Sequence, residues 1–279
     1  MIPRFLVANI IKYNLFSAAL TSKDYIEQKA TQQRQQQQQQ KSEHLLHTTG
    51  LWVLASYINH SCDANCGRFF IGDLMFVRAA RDMPAGTELR FTYMQDDSRS
   101  KLNEQLSKSW DFKCDCIICT DDRETPASMK IRRKKLIKEF RRLQPHEVEK
   151  KTDVIRKLET TYRSPPSRVP RSEMLALHLS LLDDVLGVGA SWALVVKEAL
   201  ATLESMGFVI EGTALSSSKI VVKKWGLPFT AATGAWLALR SVYDSLKKNH
   251  LAEQVTEYAR ISWMLFTGED YTFDLKKWQ

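Results

Sequence analysis

The chain has 279 residues, 44% of them hydrophobic and 26% charged, with a formal net charge of +8. That is enough sequence for one large domain or two modest ones, and the balance is ordinary for a globular fold. No apolar run approaches the ~18 residues a membrane-spanning helix needs, so a helical membrane protein is excluded as an expectation.

The N-terminus, Met1 to Lys12, carries a short apolar stretch cut off by Lys12 and offers no small-residue cleavage site, so it reads poorly as a secretory signal. The expected location is intracellular, nucleus or cytoplasm, where cysteines serve metals more readily than disulfides. Phe5 to Phe16 predicts a helix with Leu6, Val7, Ile10 and Ile11 on one side. Gln32 to Gln40, broken only by Arg34, cannot build a core and reads as a disordered loop, with order resuming near Gly50.

From Leu51 to Tyr93 the signals turn to strand. Phe69, Phe70 and Ile71, then Gly72-Asp73, then Leu74 to Val77 predict a hairpin with a two-residue turn. Met83-Pro84-Ala85-Gly86 is a second turn. After it, Leu89, Phe91 and Tyr93 alternate with Glu88, Arg90 and Thr92, as in a strand with one buried face. Leu102, Leu106 and Trp110 recur every four residues and predict a short helix.

Beyond Thr120 only helical patterns are evident, over 127–144, 146–162, 172–186, 190–206, 229–248 and 251–266. Ser164 to Pro170 separates the second from the third, and Gly187, Gly189, Gly207 and Gly268 sit where C-caps belong. Trp236, Leu239, Tyr243, Ala252 and Ala259 fall at the offsets of a tetratricopeptide (TPR) helix pair, although Arg240 and Thr256 depart from that pattern. An antiparallel helix hairpin is expected there. Lys130, Arg132, Arg133, Lys134, Lys135, Lys138, Arg141 and Arg142 crowd one stretch opposed only by Glu139. Met129, Ile131, Leu136, Ile137, Phe140 and Leu143 interleave at nearly helical spacing, which favours a solvated helix face over a nucleic-acid surface.

All five cysteines fall in one window: Cys62, Cys66, Cys114, Cys116 and Cys119. Thiolates at C-x-C-x-x-C spacing suit tetrahedral zinc, with a distant fourth sulfur closing the site. Spacing alone leaves Cys62 and Cys66 both open as that fourth ligand. His44 and His47 flank the glutamine tract and are poor candidates.

Three segments together resemble the SET-domain methyltransferases, in particular the branch containing the SMYD (SET and MYND) proteins and fungal TPR-and-SET proteins. Asn59-His60-Ser61-Cys62-Asp63-Ala64-Asn65 is similar to the family's N-H-S-C-x-x-N motif, Gly86 to Tyr93 to G-x-E-L-x-x-x-Y, and Phe112 to Cys119 to the F-x-C-x-C-x-x-C post-SET element. The resemblance covers residues 51–119. It implies an α+β fold: residues 1–49 as an insert-like helix and glutamine-rich loop, 50–97 as the C-terminal part of a SET core, 98–120 as a zinc-binding post-SET element, and 121–279 as an all-helical, TPR-like region. It further implies that Asn59, His60 and Phe112 hold S-adenosylmethionine, that Tyr93 is the catalytic tyrosine, and that Cys62 joins Cys114, Cys116 and Cys119 around zinc, leaving Cys66 a free thiol. The implied substrate is a lysine side chain of another protein, and the helical region would offer surface to protein partners. The residues alone also permit blander readings: Tyr93 as a core tyrosine, Asn59 and His60 as turn residues, Phe112 as packing.

The family's glycine-rich turn, which grips the methionine end of the cofactor, has no counterpart before Phe5, and five cysteines are too few for a MYND finger as well. Activity is therefore expected only where the missing segment is supplied, the alternative being a catalytically dead, zinc-stapled interaction scaffold.

Overall fold

The computed structural model describes residues 13–18, 48–71, 74–94, 99–214 and 216–275. The glutamine tract, His44, His47, most of the helix expected over 5–16 and the Gly72-Asp73 turn lie outside them.

The N-terminal part is built from short paired strands. β1 (Phe16–Ala18) runs antiparallel to β2 (Thr48–Gly50). β3 (Asn59–His60) runs parallel to β6 (Arg90–Phe91), and β4 (Cys66–Ile71) is antiparallel to β5 (Leu74–Ala79). Ile71 pairs with Leu74, which leaves room for two residues in the connection, as the hairpin pattern predicts. Phe16 belongs to a strand and not to the predicted helix. Its ring packs edge-on against Trp52 and Phe91 at 6.1 and 6.0 Å, a placement that suits a pleated surface. The strand expected over 88–93 shortens to Arg90–Phe91, and Leu89 is exposed while Phe91 is buried. The ladder stops because the Tyr93 N–H turns away from the sheet and donates to the His60 ring.

Eight helices follow among the described residues: α1 (Arg99–Trp110), α2 (Ile117–Glu124), α3 (Ala127–Phe140), α4 (Val148–Glu159), α5 (Ser172–Gly187), α6 (Trp192–Ser205), α7 (Thr230–Ser245) and α8 (Asn249–Thr267). Helix α2 was not legible as a separate element, since its first turn lies within the cysteine motif. From α3 onward, apolar faces merge into one core that includes Leu181, Val185, Ala199, Leu203, Trp236 and Leu239. The region after Thr120 is not all-helical: β7 (Val209–Glu211) and β8 (Val221–Lys224) form an antiparallel hairpin between α6 and α7. Val209, Ile210, Val221 and Val222 favour extended backbone through their β-branched side chains. Gln254 holds the hairpin from α8, its amide bonding both the N–H and the carbonyl of Ile220.

Helices α7 and α8 form the expected hairpin, with Trp236, Leu239, Tyr243, Ala252 and Ala259 all buried in their seam. The two alanines permit close approach of the backbones. Gly268 ends α8 in the left-handed region at φ 87°. There the strand-rich part docks: the Arg78 guanidinium donates to the carbonyls of Met264 (2.9 Å) and Gly268 (3.5 Å), and the Phe69 ring covers Gly268. A cation at a helix C-terminus satisfies its free carbonyls and opposes its dipole.

On α3, Lys134, Lys135 and Lys138 are exposed while Leu136 and Phe140 are buried, and Arg141 and Arg142, just past the helix end, are exposed too. Arg133 departs from this solvated face. It is buried, donates to Thr161 Oγ1 and O, pairs with Glu173, and lies 3.7 Å over the Tyr162 ring. No helix among the described residues is long and apolar enough to cross a membrane.

Candidate functional site

Four buried sulfurs form the centre of the candidate site. The Sγ atoms of Cys62, Cys114, Cys116 and Cys119 all lie within 4.8 Å of one another. Cys62 stands 4.0 Å from Cys114 and 3.6 Å from Cys119. Zn–S bonds of about 2.3 Å in a tetrahedron put sulfurs about 3.8 Å apart, so the donor set and its spacing fit one zinc ion. Cys66 stands elsewhere, its thiol donating to the Arg90 carbonyl at 3.2 Å.

The chain delivers these sulfurs from two directions. Cys62 follows β3, while α1 packs Leu102 and Leu106 against the cysteines and turns at Trp110 into the triplet. Asp111 makes that turn at φ 55°. Cys116 then caps α2, whose first turn carries Cys119. Crowding makes the thiols share protons. Hydrogen bonds from Cys116, Cys119 and Cys62 hold Cys114 far below the usual thiol range, and the bonds to Cys114, Cys116 and Cys119, more than burial, push Cys62 far above it. A divalent cation among them would displace the shared protons.

Around the sulfurs stand groups suited to their charge. The His60 Nε2 lies 3.4 Å from Cys62 Sγ. The Cys119 thiol, by contrast, donates to the Asn103 side-chain oxygen at 3.5 Å. Arg99, the first residue of α1, is buried and donates to Ser172 Oγ at 2.5 Å. Burial works against its charge, but Cys62, Cys119, Glu173 and Cys116 outweigh it and hold its pKa above the ordinary value.

Next to this centre the aromatic residues cluster. The His60 ring lies 5.3 Å from Tyr93 and 5.8 Å from Phe112, and Tyr93 lies 5.3 Å from Trp110. The Tyr93 hydroxyl donates to the Ile58 carbonyl at 2.9 Å. Burial raises its pKa, with the Arg68 guanidinium pulling back in part. Arg68 itself donates to the carbonyls of Thr92 and Tyr93 and lies 4.5 Å over the Phe91 ring. Burial lowers its pKa. Asn59 is exposed, its amide donating to Glu88 Oε1 at 2.8 Å; that bond, ahead of Arg90, holds the Glu88 carboxyl below its usual range.

Two cavities meet at Tyr93. One of about 410 Å³ is walled by Asn59, His60, Tyr93, Trp110 and Phe112, with Arg90, Lys113 and Asp115 at its rim. The other, about 250 Å³, is walled by Phe16, Ala55, Ile58, Arg68, Tyr93 and Trp110. The structure brings Asn59, His60, Tyr93 and Phe112 onto one cavity, with Cys62, Cys114, Cys116 and Cys119 grouped beside His60, and leaves Cys66 apart from them.

Residues 9–94 match the SET-domain family. The chain is 30% identical to a "Methyltransferase" of Gibberella zeae, over 98% of this chain and 38% of that protein. It is a SMYD-like SET protein. The mouse "Histone-lysine N-methyltransferase SMYD3" is 41% identical over 80 residues, 27% of this chain and 18% of that protein. The Xenopus laevis "N-lysine methyltransferase SMYD2-B" is 24% identical over 85% of this chain and 56% of that protein. The SMYD-like chain therefore spans well under half the length of the fungal relative.

Arg68, Arg99 and Trp110 belong to the site although no sequence motif marks them. Arg99 carried a signal: three residues before Leu102 and seven before Leu106, it places a charge on a buried helix face, which demands a partner. Trp110 ends an apolar row in the sequence, yet it lines both cavities.

Proposed function

We propose that the chain carries the reacting centre of an S-adenosylmethionine-dependent protein-lysine N-methyltransferase. One observation carries this reading: Tyr93 lines both of two adjoining cavities, so a donor group held in one and an amine held in the other would both lie against its side chain. The 410 Å³ cavity is in the size range of small-molecule sites, and its aromatic wall suits an adenine ring. Asn59 and the backbone of His60 would border that ring and Phe112 would lie against it. The cofactor supplies an electrophilic methyl group on a sulfonium.

What the residues do follows from their chemistry. In-line methyl transfer needs alignment above all. The Tyr93 hydroxyl donates its hydrogen bond to Ile58 O and keeps lone pairs to orient an amine N–H. A lysine amine must reach its neutral form against a solution pKa of ~10.4. The aromatic wall of Phe16, Tyr93 and Trp110 and the nearby Arg68 cation both disfavour its protonated form. Cys62, Cys114, Cys116 and Cys119 would hold structural zinc, which fixes Phe112 beside His60. The domain order proposed with this is a SET core to residue 97, a post-SET element over 98–120 and a TPR-like helical region beyond, available to protein partners inside the cell.

Calorimetric titration with S-adenosylmethionine tests the reading, joined to transfer of a labelled methyl group onto a lysine peptide library. Micromolar binding with label on lysine is expected. No binding at millimolar cofactor overturns it.

A further inference from the structure

His60 makes contacts that cofactor binding does not require. Its ring is buried, and both nitrogens are engaged. Nδ1 accepts the backbone N–H of Tyr93 at 3.0 Å, so the ring's proton sits on Nε2. Nε2 then faces the Cys62 sulfur at 3.4 Å as a donor. The Tyr93 and Phe112 rings flank the imidazole, and a ring flip would put carbon at both polar contacts.

The neighbouring bonds extend this pattern. Within Ile58 to Cys62, Ile58 O accepts the Tyr93 hydroxyl, His60 accepts its N–H, Ser61 O accepts Thr92 Oγ1, and Cys62 belongs to the sulfur cluster. One five-residue segment therefore grips Tyr93 at its backbone and at its reacting end, and is itself anchored at the four cysteines.

We infer that His60 is a positioning residue that ties occupancy of the four-cysteine centre to the placement of Tyr93. The inference rests on the zinc reading of that centre. A metal-bound thiolate is a stronger acceptor than a thiol, so Nε2–H···Sγ tightens when the ion is bound. That bond fixes the ring, and the fixed ring aims the Nδ1 lone pair at the Tyr93 N–H. Without the ion, the Cys62 sulfur is no longer held in place, the ring loses its anchor, and Tyr93 keeps its hydroxyl bond to Ile58 and the Arg68 contact at its carbonyl but has no fixed acceptor for its N–H.

Two substitutions separate the halves of the relay. In His60→Asn the amide oxygen can still accept the Tyr93 N–H, while the shorter side chain no longer reaches Cys62. In His60→Gln the terminal amide can still donate to Cys62, while nothing accepts the Tyr93 N–H. Zinc affinity by chelator competition and hydrogen exchange at the Tyr93 amide are read on the full chain. His60→Asn is expected to weaken zinc about 10–100-fold, and His60→Gln by no more than about threefold. Zinc-loaded His60→Gln is expected to exchange the Tyr93 amide as fast as chelated wild type. Unchanged zinc affinity in His60→Asn, or full Tyr93 protection in zinc-loaded His60→Gln, overturns the relay and leaves the metal site standing. A wild-type chain that takes up no zinc overturns the metal site itself.

Discussion

The sulfur of Cys62 lies 3.6 Å from that of Cys119, although 57 residues separate them in sequence. Cys66, four residues on, points instead at the Arg90 carbonyl. Cys62→Ser is therefore expected to abolish stoichiometric zinc, because a hydroxyl replaces a thiolate in a four-sulfur set. Cys66→Ser should retain the metal. Elemental analysis of the two purified variants decides it, and loss of zinc from Cys66→Ser alone would reverse the assignment.

Tyr93→Phe removes one oxygen from a side chain that lines both cavities and leaves the sulfurs untouched. Methyl transfer to lysine is expected to fall below detection, while zinc content and cofactor affinity hold. Loss of the bond to Ile58 O should cost about 0.5–1.5 kcal/mol of stability. Undiminished turnover in this variant would remove the role proposed for the hydroxyl.

Much of this site is legible because its residue types are chemically constrained. Sulfurs at C-x-C-x-x-C spacing can serve few purposes, and the row Leu102, Leu106, Trp110 fixes a helix that delivers the triplet. Other features depend on partners distant in sequence. Nothing local chooses Cys62 over Cys66; the choice comes from where the turn after β3 and the start of β4 point their side chains. Arg68 reads as an ordinary strand cation until Thr92 and Tyr93 offer it their carbonyls. The strand ends at Phe91 because the Tyr93 N–H finds a ring nitrogen 33 residues before it in sequence. The β7–β8 hairpin is too short for periodicity to show, and Gln254 on a later helix holds it in place.

Burial gives a pH signature to Tyr93. Its folded pKa stands above the ordinary value, so its contribution to stability is complete below about pH 10 and is lost as pH rises through the folded pKa. Spectrophotometric titration of wild type minus Tyr93→Phe should show tyrosinate forming above the range of exposed tyrosines. The stability gap between the two proteins should narrow over the same interval. A difference titration centred at or below about pH 10 would contradict the burial.

Gly268 ends α8 where the Phe69 ring of β4 closes over it. At φ 87° an L side chain is strained, and a Cβ there would come within 2.0 Å of that ring. Gly268→Ala should therefore destabilise by more than about 1 kcal/mol, the strain of the left-handed backbone adding to displacement of Phe69. Gly187→Ala is the control, since a Cβ at Gly187 meets nothing within 4 Å and helix propensity favours alanine. Urea denaturation of both variants separates the effects. Because Arg78 bonds the same helix end, the loss at Gly268 should also loosen the β4–β5 hairpin, seen as faster amide exchange at Phe69 and Phe76. Equal stability of the two variants would mean that this seam does not hold the strand-rich part to the helices.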